Sequence, residues 1–338
     1  MRERRAGHRL SLTPVLATLP PLPLVPVATV PLPGRSPRFD YQSIDPLAHR
    51  LYLAHQGDGV IRVIDLRTRR IVRSIAGLPD VHGVLAVPSI QRVFATATAT
   101  HELVTIDARS GRILRRTRAG VVPDGIAYAP SARRTFVSDE RPAGAIVAVD
   151  GASGAAIASI ALGGSAGNVQ YDARADRILV GVETRDEIAV IDPGSLAITR
   201  RVHVPGCAAN HSLHVSPRLG VTLVGCSRNG RVVELETRSL RSLGSVGGVG
   251  HVDVVDIDDG LRRAYVTSED DIVTTIALAP HSRPRAIGRA SIPRAHSVAV
   301  DQRTHLVYLP IGRSHGRSAL RVLRPTTPRR RLQAGSRR

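Results

Sequence analysis

The chain contains no lysine and no tryptophan, only two cysteines, and no long uninterrupted apolar run. Aromatic residues are 3% of the chain, so a core has to be built from Val, Ile, Leu and Ala. A core rich in β-branched residues suits strands better than helices. The same scarcity weakens a nucleic-acid reading, because single-strand binders pair basic grooves with stacking aromatics. All basic side chains are arginine, a pattern of codon usage in a GC-rich genome rather than of selection for phosphate contacts. Without an apolar run of about 20 residues, no transmembrane span is expected. Gly-x-Ser-x-Gly, Cys-x-x-Cys, His-Glu-x-x-His and haem-attachment motifs are missing, so Ser-centred catalysis and a zincin site have no support. The glycine-rich stretches Gly163–Gly167 and Gly244–Gly250 each precede a strand rather than open a helix, which argues against a phosphate cradle.

Apolar residues, at 42%, and positive charge, at +19, are plentiful. Much of the charge sits at the ends. Residues 1–38 hold six Arg and one Glu, and residues 324–338 hold six Arg and no acid, leaving +8 for the body.

The dominant signal is an internal repeat. An aromatic or Leu recurs at Tyr52, Phe94, Phe136, Leu179, Leu223, Tyr265 and Tyr308, at intervals of 42 to 44 residues. Seven residues before each stands a turn opener: Asp45, Val87, Ala129, Asp172, Ser216, Asp258 and Asp301. A short apolar run, a polar turn and a second apolar run make a hairpin signature. A third run follows and ends in an acid, as in Val60–Asp65, Leu103–Asp107 and Val232–Glu236. Turns such as Asp107-Ala108-Arg109-Ser110-Gly111 supply the side-chain bonds and positive φ that tight reversals need. A fourth run completes the unit, as in Ile113–Thr117 and Ile198–Val204. Four strands in about 42 residues is propeller arithmetic, and seven copies predict an all-β, seven-bladed propeller. The seventh copy has only three strands. Val27–Gly34 resembles Arg201–Gly206, the fourth strand of another repeat, so the N-terminal strand is expected to complete the last blade and protect its edge. Its prolines suit an outermost strand.

Tyr265-Val266-Thr267-Ser268, Phe136-Val137-Ser138-Asp139 and Tyr52-Leu53-Ala54-His55 resemble degenerate copies of the Tyr-Val-Thr-Asn strand that names the YVTN, or YncE-like, propellers. Arg38–Ser43 and Ala295–Asp301 have the same character. The resemblance covers roughly residues 24–325 and implies a bacterial seven-bladed propeller. It implies no activity, and because the copies depart from the consensus at Asn, no residue role is carried over.

Propellers place ligands over the central channel, at the face where each innermost strand begins. The residues five before the turn openers are Asp40, His82, Asp124, Gly167, His211, Asp253 and His296, with Asn168 following the glycine. They predict a polar collar at the mouth. Strand alternation predicts a deeper layer three residues on, with Gln170, His214 and Asp256 beside Ser43, Ala127 and Ala299. Imidazole and carboxylate suit a divalent metal such as Zn²⁺, Mn²⁺ or Fe²⁺, and also general acid–base work. The bland alternative is capping of backbone groups and holding of channel water. Loops on the same face carry Asp139, Glu140, Glu183, Arg185, Asp186, Glu187, Arg228, Glu269, Asp270 and Asp271. An acidic mouth favours cations or basic partners and argues against nucleic acid there.

Cys207 and Cys226 flank the fifth hairpin, whose antiparallel pairing allows a disulfide; two buried thiols are the alternative. A disulfide would favour a periplasmic or extracellular setting. Residues 1–23 form a basic and then apolar leader, an export signal except for its prolines. Residues 24–325 form the propeller. Residues 326–338 form a basic tail expected to be disordered. Three readings follow. The first is a non-catalytic scaffold that binds a small molecule or protein at the channel face. The second is a metal-dependent hydrolase, lactonase or lyase using the collar. The third is nucleic-acid binding through the Arg-rich ends.

Overall fold

The structure, a computed structural model, describes residues 20–280, 282–314 and 317–326. It consists of seven four-stranded antiparallel sheets arranged as the blades of a propeller. Blade one runs through Gln42–Asp45, Arg50–His55, Val60–Asp65 and Arg70–Ile75. Blades two to six occupy residues 81–118, 123–161, 166–203, 210–247 and 252–291. Blade seven takes Ala299–Val300, Val307–Ser314 and Arg317–Pro325 from the end of the chain and Leu24–Leu32 from its beginning. The N-terminal strand lies outermost, antiparallel to Arg317–Pro325, with Leu32 opposite Ser318 and Leu24 opposite Pro325. Pro26 sits where the register shifts, a position where a missing N–H costs little.

The recurring aromatic or Leu lies on the second strand of every blade and is at most 5% exposed. Each packs into one of seven apolar clusters, one per blade-to-blade interface. Bulk between blades thus comes from one large side chain per repeat, and Val, Ile, Leu and Ala fill the rest. Removing one such ring leaves a cavity and costs about 3–5 kcal/mol.

On the face opposite the channel mouth, the turns after the third strands share one construction. Asp65 Oδ1 accepts from the amides of Arg67 and Thr68 at 3.0 and 2.8 Å. Asp107, Asp150 and Asp192 likewise accept from the amides of Ser110, Ser153 and Ser195 at 2.8, 2.7 and 2.6 Å. These backbone donors are the leading reason that all four carboxyls sit below their ordinary pKa.

Cys207 and Cys226 are joined in a disulfide, with Cα atoms 5.2 Å apart. It ties the segment entering blade five to that blade's second strand, where Cys226 lies opposite Asn210.

Candidate functional site at the channel mouth

Asp40, His82, Asp124, His211, Asp253 and His296 ring the mouth, and each is at least partly buried. No two of the three histidines share a candidate ligand cluster; each is flanked by carboxylates, and His211 and His296 share Asp253. His82 Nδ1 lies 3.0 Å from Asp124 Oδ1 and 3.4 Å from Asp40 Oδ2, and its Nε2 lies 3.3 Å from Asp80 Oδ2. His211 Nδ1 meets Glu183, and its Nε2 is 4.0 Å from Asp253 Oδ1. His296 Nδ1 is 3.1 Å from Glu269 Oε2 and 3.9 Å from Asp253 Oδ2. Asp40, His82 and Asp124 each offer one donor atom within 4.8 Å of the others, and so do Asp253, Glu269 and His296.

Of the acids read from the loops, only three reach this centre. Asp139 is taken up by the amides of Val121 and Val122, Asp186 by that of Ala209, Asp270 by that of His251 and Asp271 by that of Arg294. Glu187 pairs with Arg185 and Arg201, and Arg228 is exposed. Glu140, Glu183 and Glu269 are the ones that turn inward. Each stands four residues after its blade's buried Phe, Leu or Tyr, as does Gln56, whose Nε2 is 2.8 Å from His82 Nε2. That offset was available in the repeat and would have singled these four out.

A regularity follows. The residue at this offset meets the collar residue of the next blade: Gln56 meets His82, Glu183 meets His211, and Glu269 meets His296. Glu140 faces the blade whose collar residue is Gly167. A Cβ at Gly167 would come within 2.6 Å of the His211 carbonyl oxygen, so close approach of blade five excludes any side chain there. Glu140 Oε1 is accordingly buried with no hydrogen-bond partner among the described residues.

Arg38, outside the collar positions, joins two sectors. It grips Glu269 through both terminal nitrogens at 3.2 and 3.0 Å and donates from Nε to Gln56 Oε1 at 3.1 Å.

Beneath the collar, Tyr41 crosses from blade one to donate to Asn168 on blade four, with its hydroxyl 3.4 Å from Asp124 Oδ2. Asn168 therefore belongs to the floor of the mouth rather than its rim. Below lies a channel cavity of about 150 Å³ lined by Gln170, His214 and Asp256, the deeper layer read from alternation. His214 Nδ1 is 3.4 Å from Asp256 Oδ1, and Asp256 also accepts from the Val300 amide at 2.8 Å.

Burial and crowding set the protonation of the mouth. Burial, then the neighbouring Asp124, pushes the Asp40 carboxyl up to about 6. Burial followed by Asp40 raises Asp253 well above the carboxylate range, and burial followed by Asp124 does the same to Glu140. Burial opposes charge on the histidines, but Asp124 and Asp40 carry His82 up to about 9, and Glu183 and Glu140 carry His211 to about 10. Asp124, although burial works against it, is held below its ordinary value by His82. The mouth thus gathers more carboxyl groups than it has fixed cations to neutralise.

No family model and no curated protein matches this chain by sequence. Among solved structures, it is similar to a chain of Kuenenia stuttgartiensis hydrazine synthase, with a TM-score of 0.74 over 86% of this chain and 97% of that one. At 12% identity the likeness shows the propeller fold alone. Among the described residues no helix is long and apolar enough to cross a membrane.

Proposed function

We propose that the chain is a ligand-binding propeller whose channel mouth takes up a divalent transition-metal ion between Asp40, His82 and Asp124. The carrying observation is that three successive blades bring one imidazole nitrogen and two carboxylate oxygens within 4.8 Å of one another. That donor set suits Zn²⁺, Mn²⁺ or Fe²⁺. Asp80, beside the other imidazole nitrogen at 3.3 Å, is placed as the carboxylate that orients a ligating histidine. A bound cation would also relieve the crowding that raises Asp40. The acidic mouth argues against nucleic acid on this face, and the Arg-rich ends on which that reading rested lie largely outside the described residues. The disulfide supports an oxidising compartment, periplasmic or extracellular.

Elemental analysis before and after chelation, with reconstitution by Zn²⁺ or Mn²⁺, tests the reading. About one ion per chain is expected in the wild type and none in His82→Ala. Reconstituted wild type without metal, or equal metal in His82→Ala, overturns it.

A second reading, a metal-dependent hydrolase, lactonase or lyase, is favoured by Glu140. Burial, then the neighbouring Asp124, pushes its carboxyl well above the carboxylate range, and its Oε1 has no partner among the described residues, which is the direction a general acid needs. Metal-loaded protein screened on lactones and esters would show turnover that Glu140→Gln abolishes while metal content stays the same. Absence of turnover in the loaded protein leaves the binding role alone.

A further inference from the structure

Far from the mouth, at the outer edge between blades five and six, lies a cavity of about 530 Å³. Leu219, Val221, Leu243 and Leu278 supply its apolar wall, and Glu234 and Arg262 are among its polar lining residues. The volume is in the range of small-molecule sites.

Glu234 is the anomaly. It lies on the third strand of blade five, Arg231–Glu236, opposite Leu223 on one side and Gly244 on the other. The same register places Val63, Thr105, Ala148, Val190, Thr275 and Val322 opposite the corresponding Tyr, Phe or Leu of the other six blades. Every sister blade therefore uses an apolar or hydroxyl side chain where blade five has a carboxylate. The fold has no need of the charge. The side chain is 4% exposed, and its Oε2 has no hydrogen-bond partner among the described residues. Arg262 acts on it through space but forms no ion pair with it among those residues, and burial pushes the carboxyl up to about 7. Gly244 contributes no side chain over it; its φ of +151° and the approach of Arg283 and Pro284 to 3.0 Å of any Cβ keep the position bare. A buried, unpaired carboxylate is costly, and such a group beside a preformed cavity with an apolar wall, whose other charged lining is Glu236, Arg262 and Arg283, has the form of a ligand anchor.

We propose that this cavity is a second binding site, for a small organic cation with an ammonium group on Glu234 and an apolar body against Leu219, Val221 and Leu278. The ammonium would supply the charge-assisted partner that the carboxylate lacks. The site is independent of the metal reading, since it shares no residue with the mouth.

Titration calorimetry of the full chain with 2-phenylethylammonium tests it, with neutral 2-phenylethanol as the shape control. Binding to the wild type is expected, with affinity at least tenfold lower in Glu234→Gln and lower again for the neutral analogue. Affinity should rise from pH 6 to pH 8 as the carboxyl loses its proton. Glu234→Val installs the residue that three sister blades carry, so it is compatible with the fold, and it should lose binding while raising Tm. No binding to the wild type, equal affinity in either variant, or a flat pH profile overturns the proposal.

Discussion

The two faces of this propeller use the same side chain in opposite ways. On the face away from the mouth, Asp65, Asp107, Asp150 and Asp192 each accept hydrogen bonds from amides within their own turn, and their carboxyls are held below the ordinary range. At the mouth, Asp40 and Asp253 are partly buried beside other carboxylates, and theirs are pushed above it. The first group is stabilised locally, turn by turn, and serves the fold. The second is brought together only by closure of the ring and works against it. Groups that cost stability where the scaffold does not require them mark function.

The largest expected effect separates the faces by ligand. Asp124→Asn, which removes one of the three proposed donors, should weaken divalent-metal binding by at least about 100-fold, and Asp80→Asn, which removes the partner of the ligating histidine, by about 10-fold. Asp107→Asn, on the far face, should leave it unchanged. Metal titration by calorimetry reads all three, and equal affinity across the set would erase the distinction. Because ligands must be deprotonated to bind, affinity should also climb with pH, first as Asp40 ionises near 6 and then as His82 loses its proton near 9.

A smaller effect reverses sign. Asp253→Asn should stabilise the metal-free protein, on the order of 1 kcal/mol, as relief of a functional-site conflict does. Asp253 has a raised folded pKa, so below the unfolded value near 3.8 both states are protonated and the variant gains nothing. As pH rises above that value the unfolded chain ionises more readily than the folded one, and the wild type loses stability relative to the variant. Thermal melts at pH 3 and pH 7 check this; a gain equal at both would mean that repulsion is not the cause.

Legibility in the sequence divides along the same line. The strand pattern, the repeat and the ring closure were readable because each depends on local periodicity and on one buried Tyr, Phe or Leu per 42 to 44 residues. The collar positions could be named because inner strands alternate and enter from one face. The partners of the collar were not picked out, because loop acids look alike in sequence. Asp139 bonds backbone amides of the segment entering its own blade, whereas Glu140 faces the bare Gly167 of the next one, and only the folded chain separates the two. Tyr41 was missed for the same reason, since its hydroxyl bonds to a residue 127 positions away across the channel. Glu234 needed register, because only pairing against Leu223 shows that the other blades place Val, Thr or Ala there.

The smallest effect belongs to the far face and completes the contrast. Asp65→Ala removes an acceptor from the amides of Arg67 and Thr68 and should lower Tm by about 2 °C or less, as loss of one exposed cap does in a chain of this size. The folded pKa of Asp65 is lowered, chiefly by the Thr68 amide. Its contribution is therefore complete above the unfolded value near 3.8 and disappears as pH falls through the folded one. The Tm difference between wild type and Asp65→Ala should close at low pH. The difference for Asp253→Asn should close there too, but from the other side, with the variant losing its advantage. Melts of both variants from pH 2 to pH 7 would then give curves that diverge in opposite directions from a common origin. A gap for Asp65→Ala that persists at pH 2 would mean that turn geometry, and not the charge on the carboxylate, is what the far face uses.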